Sequence, residues 1–258
     1  MMAEVEWSRL RAPELRELAT QDAVVIVPIG STEQHGPHLP TQVDCLLVTE
    51  VARRAARRAY ASVPTLITPT IWSGLAEHHM SLGATLSLDF ATFFALVRGI
   101  CRSLVRHGFR KILLLNGHGG NIAALTVAVN ELAVELAAPI ATTTYFRLAE
   151  PAIAKILEKQ TGVRHACEAE TSMVLALEPT LVDMSLAANA VGPTEREIAQ
   201  AAGTDAAHRW RSFKSRTAHG AIGDPRTASA EKGEKLLDAA ADAVCRLVAN
   251  QEFWTLRA

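Results

Sequence analysis

"AVVIVPIGSTEQHGPHLPTQVD", residues 23–44, joins an apolar run to a loop that carries Glu33, His35, His38 and Asp44. The run at 23–29 is rich in β-branched residues and has no polar interruption, the pattern of a strand covered on both faces. Glu33 and His35 stand two apart, so in extended backbone both point to one side. Asp44 falls where a helix over residues 46–60 begins. A strand that ends in so many metal-capable side chains reads as a site built at the carboxyl end of a sheet.

The same alternation continues outward from this stretch. Residues 65–71 predict a second strand, weakened by Pro64 and Pro69. Residues 90–107 predict a helix with Gly108 as its stop signal, and KILLLN (111–116) a short buried strand. A helix at 122–136, a Thr-rich strand at 140–145 and helices at 152–159, 170–177 and 230–250 follow. Strands and helices in alternation with short connections predict an α/β fold, a mostly parallel sheet with helices on both faces. Nothing divides the chain, so residues 1–258 are expected to form a single domain. The irregular stretch 189–223 reads as a long functional loop or an oligomer contact.

Composition narrows the function classes. Of 258 residues, 49% are apolar and 21% charged, a globular balance, and the net charge is −1. Such a chain has no electrostatic case for nucleic acid or an anionic membrane. The arginines of ARRAARRA (52–59) come in pairs at helical spacing and read as a solvated helix face. The N-terminus mixes acids and bases with no apolar core of a signal peptide, and no apolar run approaches the ~20 residues of a membrane span. The four cysteines, at 45, 101, 167 and 245, form no CxxC pair. They fit neither a zinc knuckle nor a disulfide framework, and point to a reducing cytoplasm.

Two more segments carry chemistry. NGHGGN (116–121) follows a strand, and its glycines let the backbone turn and leave His118 room to project. By itself it also fits a helix-start anion site. RHACEAETS (164–172) adds His165, Glu168 and Glu170. Carboxylates with imidazoles suit zinc, manganese or iron. His78, His79, His107 and His208 are expected to be surface or hydrogen-bonded histidines without a role in the site.

Taken in order, PIGSTEQHGPHLP…D, NGHGGN, HACEAETS and GDPRTASAEKG (223–233) resemble the creatininase, or creatinine amidohydrolase, superfamily over residues 23–248. The resemblance implies a three-layer α/β/α sandwich, two divalent metal ions and a homohexamer that hydrolyses amide-type C–N bonds of a small molecule. Carried over position by position, Glu33 and His118 would hold one ion and His35 the other. Asp44 would bridge them, and His165 would serve proton transfer. Creatinine-hydrolysing members have a Tyr-Glu pair after the second-loop histidine, and that Glu is a ligand. Here the pair is Gly119-Gly120. Glu170, at the start of an apolar helix, is expected to replace it, with Glu168 second. The Trp-Asp pair that encloses creatinine is replaced by residues 160–163, Gln-Thr-Gly-Val, which points away from creatinine itself.

The expected chemistry is hydrolysis by a water whose pKa two ions lower from ~16 to ~7. Rival readings are hydrolytic C–C cleavage of a ring ketone such as an oxidised inositol, a metal-stabilised scaffold without turnover, and a cysteine hydrolase built on Cys167 and His165.

Overall fold

Residues 24–29 become the central strand because both of their faces are apolar. In the computed structural model, which describes residues 3–194, 197 and 209–255, β1 (Val24–Ile29) is buried along its whole length. It pairs in parallel with β2 (Thr65–Ile67) on one side and β3 (Lys111–Asn116) on the other. β3 pairs in parallel with β4 (Ile140–Thr144), which gives the order β2-β1-β3-β4. β2 is shorter than the expected 65–71, because Pro69 has no N–H for the ladder. The chain still runs beside β1, where Gly30 N–H donates to the Ile71 carbonyl.

Six helices of nine residues or more flank this sheet among the described residues: α1 (Ala12–Thr20), α2 (Val43–Ala59), α3 (Phe90–Arg106), α4 (Ile122–Leu136), α5 (Glu168–Leu177) and α6 (Ala230–Ala249). Successive strand residues face opposite sides. Val24, Ile26, Leu113 and Leu115 enter one apolar core with α2, α5 and α6. Val25, Val27, Ile29, Ile112 and Leu114 enter a second with α1, α3 and α4. The result is a three-layer α/β/α sandwich. No helix among the described residues is long and apolar enough to cross a membrane.

Three expectations change. Residues 152–159 do not form a helix: a single turn at Glu150–Ile153 ends because the amides of Glu158 and Lys159 donate to the Glu168 carboxylate. α5 begins at Glu168, two residues early. The α2 arginines are an ionic seam, with Arg54 on Glu234 and Asp238 and Arg58 on Asp238 and Asp242 of α6. Of the irregular stretch 189–223, residues 195, 196 and 198–208, His208 included, lie outside the described residues.

From β1 the chain passes through α2 to β2 on one side, then through α3 to β3 on the other. The loops leaving β1 and β3 therefore part at their carboxyl ends, where open sheets bind ligands.

α5 and α6 approach so closely at Gly233 that an added Cβ would overlap the Ser172 carbonyl oxygen. Helical Gly→Ala usually gains about 1 kcal/mol, but overlap with a backbone atom costs about 1–3 kcal/mol. Gly233→Ala is therefore expected to lower unfolding free energy in urea. Gly99→Ala on α3, where nothing lies within 4 Å, is expected to raise it.

Candidate active site

Close backbone approaches bring three loops together. A Cβ at Gly30 would lie 2.7 Å from Cys45 Sγ and 2.8 Å from Cys45 Cα, so glycine lets β1 run onto the first turn of α2. That contact sets Asp44 beside Glu33 and His35. Asn116 Oδ1 accepts from His118 N–H at 3.1 Å, and its amide donates to the His118 carbonyl at 2.7 Å. Asn121 ties the loops after β1, β2 and β3: its amide donates to the Gly30 carbonyl and its Oδ1 accepts from Leu75 N–H.

All five sequence-derived ligand candidates converge and are buried. Asp44 sits between two imidazoles, with Oδ2 3.0 Å from His118 Nδ1 and Oδ1 3.4 Å from His35 Nε2. Glu33 Oε2 is 3.1 Å from His118 Nδ1. Glu170 Oε2 is 3.9 Å from His35 Nε2. His165 Nδ1 is 3.7 Å from Glu33 Oε1, and its ring centroid is 4.1 Å from that of His35. Within the cluster, Glu33, His35 and Asp44 offer donor atoms within 4.8 Å of one another, as do His35, His165 and Glu170.

The imidazoles are aimed by backbone carbonyls. His35 Nδ1–H donates to the Glu33 carbonyl at 3.1 Å, which leaves Nε2 towards Asp44. His118 Nε2–H donates to the Leu75 carbonyl at 3.2 Å, which leaves Nδ1 towards Glu33 and Asp44. Such outer contacts fix the tautomer and orientation of metal-binding histidines. His165 Nε2–H donates to the Gln34 carbonyl at 2.8 Å and turns Nδ1 inward.

The electrostatics fit a cation. Glu33 Oε1, His35 Nε2 and Asp44 Oδ2 are buried with no hydrogen-bond partner among the described residues. Burial disfavours a charged His35, yet Asp44, Glu170 and Glu33 raise its pKa to about 9. His118 is raised well above its usual value against the same burial, by Glu33 and Asp44. Burial, with Asp44 nearby, pushes Glu170 up to about 8. Three buried carboxylates thus draw protons where divalent cations would balance them.

Glu168 is engaged elsewhere, accepting from Lys232 Nζ at 2.7 Å and from the amides of Glu158 and Lys159. Gly120 has no room for a side chain: a Cβ there would overlap the Leu75 carbonyl oxygen and the His118 ring. Cys167 is fully buried and its thiol is pushed up to about 11 by burial, which removes the thiolate that a cysteine hydrolase needs.

Two histidines expected to lie outside the site belong to it. His79 is buried, accepts from the Gln34 amide at Nδ1 (2.8 Å) and meets Glu33 Oε1 through Nε2 at 3.2 Å. His78 stacks on His118 at 5.5 Å between centroids. His107 is exposed, as expected. The overlooked signal was position: AEHHMSLG also follows a strand, β2, at the same end of the sheet. Gln34, which joins His79 to the Gly220 carbonyl, and Phe213, 4.1 Å from His79 between ring centroids, had no signal in a single sequence.

The family model for creatininase, described as creatinine amidohydrolase, matches residues 8–248, and the chain belongs to that family. It is 29% identical to the creatinine amidohydrolase of Pseudomonas putida, over 98% of this chain and 96% of that one. It is 32% identical to the mycofactocin precursor peptide peptidase of Mycobacterium tuberculosis (strain ATCC 25618 / H37Rv), over 91% and 88%. A 3-dehydro-scyllo-inosose hydrolase of Thermotoga maritima is 31% identical over 68% of this chain and 57% of that one. Two solved creatininases, a Zn-Zn type and one described as "Creatininase Mn", align over 97% of this chain and 99% of theirs at 28% identity, with TM-scores of 0.81 and 0.82. The protein is a hydrolase of amidohydrolase type. Its buried donors and these zinc and manganese structures support divalent metal ions in the site.

The two neighbouring carboxylates of α5 are expected to separate cleanly. Glu168→Gln weakens a buried pair with Lys232 and should lower thermal stability by about 1–3 kcal/mol with metal content unchanged. Glu170→Gln replaces a carboxyl that holds a proton near pH 7 without ions, so the chelated protein should melt much as before. Its metal content after dialysis, read by atomic emission, should fall.

Proposed function

We propose that this protein is a binuclear metal-dependent hydrolase of an amide-type C–N bond in a cyclic amide, formamide or peptide-like substrate. The observation that carries this reading is Asp44, whose two oxygens face His118 on one side and His35 on the other. Glu33 and His118 would hold one ion, His35 and Glu170 the other, and Asp44 would bridge them. Each ion then has about three protein ligands, which leaves room for water as catalytic sites require. The donor set suits zinc, with manganese or iron as alternatives. When bound, such a pair lowers the pKa of a water from ~16 towards ~7 and polarises a carbonyl.

The chain's own residues supply the rest. His165 is held by the Gln34 carbonyl with Nδ1 inward, and burial together with His35 and His79 keeps its pKa well below the usual value. A neutral imidazole so placed accepts a proton at Nδ1 and passes it to the leaving nitrogen, a step typically worth ~10²–10⁴-fold. His79 Nε2 stands 3.2 Å from Glu33 Oε1, while Glu33 Oε2 turns to His118 and to the Ser31 hydroxyl. Phe213 packs against His79 and His165 and limits bulk water on that side.

C–C hydrolysis of a ring ketone is the second reading, favoured by the inosose hydrolase relative, and the same residues would serve it. A homohexamer, which the family resemblance implies, fits the exposed Trp72, Leu86 and Phe90. A cytoplasmic location fits the four free thiols.

Metal analysis followed by a screen of lactams, formamides, short peptides and inosose ketones tests the assignment. C–N products are expected, C–C products would favour the second reading, and full occupancy without turnover would leave a scaffold. Asp44→Ala is expected to lose both ions, whereas His35→Ala keeps one. His165→Asn should keep both and lose about 10²–10⁴-fold in kcat. Two ions at full occupancy in Asp44→Ala would overturn the bridge.

A further inference from the structure

The site opens on one side. The side chains of Glu33, His35, Asp44, His118 and Glu170 are 0–5% exposed, whereas His165 is 12% exposed and His78 is half-buried. A substrate therefore enters past His165 and His78. The element standing there is the turn at 213–216. Phe213 is buried, with ring centroids 4.1 Å from His79, 4.6 Å from His165 and 6.0 Å from His78. The Arg216 guanidinium lies over the Phe213 ring, 5.8 Å from its centroid, and its Nη2 donates to the Arg211 carbonyl at 3.4 Å.

This turn belongs to RWRSFKSRTAHGAIG (209–223), which holds Arg209, Arg211, Lys214 and Arg216 and no acidic residue, in a chain whose net charge is −1. Arg53, Arg54, Arg58 and Arg98, by contrast, are ion-paired. Among the described residues Arg216 has no carboxylate partner. The groups it meets are the Phe213 ring and the Arg211 carbonyl. The proposed floor of the site adds no repulsion for an anion, since three carboxylates against two divalent cations leave one positive charge.

We propose that Arg216, held on the Phe213 ring, is a specificity subsite for an anionic group on the substrate, so that the protein acts on amides bearing a free carboxylate or phosphate-like anion. The inference rests on the hydrolase reading above and names its substrate class. The cation–π contact holds the guanidinium on the Phe213 ring, and its N–H groups other than the one donating to Arg211 would meet the anion. An anion docked there leaves the uncharged amide to extend past Phe213 towards His165. Arg rather than Lys suits this geometry because its planar fork matches a carboxylate.

Equilibrium binding tests the subsite without relying on turnover. N-benzoylglycine, its neutral carboxamide and the phosphonate analogue N-benzoylaminomethylphosphonate are titrated by calorimetry into the metal-loaded protein and into Arg216→Gln. The wild type is expected to bind the carboxylate about 10-fold more tightly than the carboxamide, the scale of a charge-assisted hydrogen bond. In Arg216→Gln that ratio should fall towards one. Comparison of carboxylate and phosphonate identifies which anion the mouth prefers. Equal wild-type binding of acid and carboxamide, or a ratio unchanged in Arg216→Gln, overturns the proposal. Discrimination that persists while no amide is hydrolysed would remove the hydrolase reading and leave the subsite. Amide turnover without discrimination would do the reverse.

Discussion

Asp44 is a carboxylate buried in the first turn of α2 with an imidazole on each side, and the rest of the site is arranged around it. Burial opposes its ionisation, but His35 and His118 hold its pKa below the usual carboxylate range. Two further carboxylates, Glu33 and Glu170, lie within reach of the same imidazoles. Buried charge of this density is tolerated only when it is compensated. The sheet makes the arrangement possible: β1 and β3 lie side by side, and Gly30 and Gly117 let their loops touch α2 at Cys45, Asp44 and Val48.

That crowding separates two kinds of acidic residue on one helix. Glu168 and Glu170 are both buried in the first turn of α5. Glu168 is satisfied by an ammonium and two backbone amides and serves the fold. Among the described residues Glu170 has only the Ala166 amide as a hydrogen-bond donor, and it faces His35. The left-handed backbone of Ala166, φ +52°, turns the chain so that His165 and Glu170 reach the same centre. Satisfaction, more than burial, marks a carboxylate as one that can accept a cation.

Local pattern made much of the fold legible. The strands at 111–116 and 140–144 and the helix at 122–136 have periodicities that tertiary packing had no reason to override. The helix expected at 152–159 failed because its amides are claimed by Glu168, a partner more than eight residues away along the chain. The α2 arginines were misread for a similar reason. The α6 acids that Arg54 and Arg58 meet lie about 180 residues on, and no spacing rule links them. His79 carries no periodic signal, only its place in the loop after β2, and Gln34, a glutamine beside a motif, carries none at all.

By itself the sequence determined the class of structure and the inventory of donors. Apolar runs alternating with amphipathic segments dictate a parallel sheet between helices, and carboxylates with imidazoles at strand ends dictate the kind of ion they suit. Only the tertiary structure decided which donors meet. Whether Glu168 or Glu170 faces His35 depends on where Lys232 of α6 stands. Whether Phe213 packs on His79 and His165 depends on a segment that pairs with residue 165 through Ile222. These are contacts between chain positions tens of residues apart, set by packing geometry that no local pattern encodes.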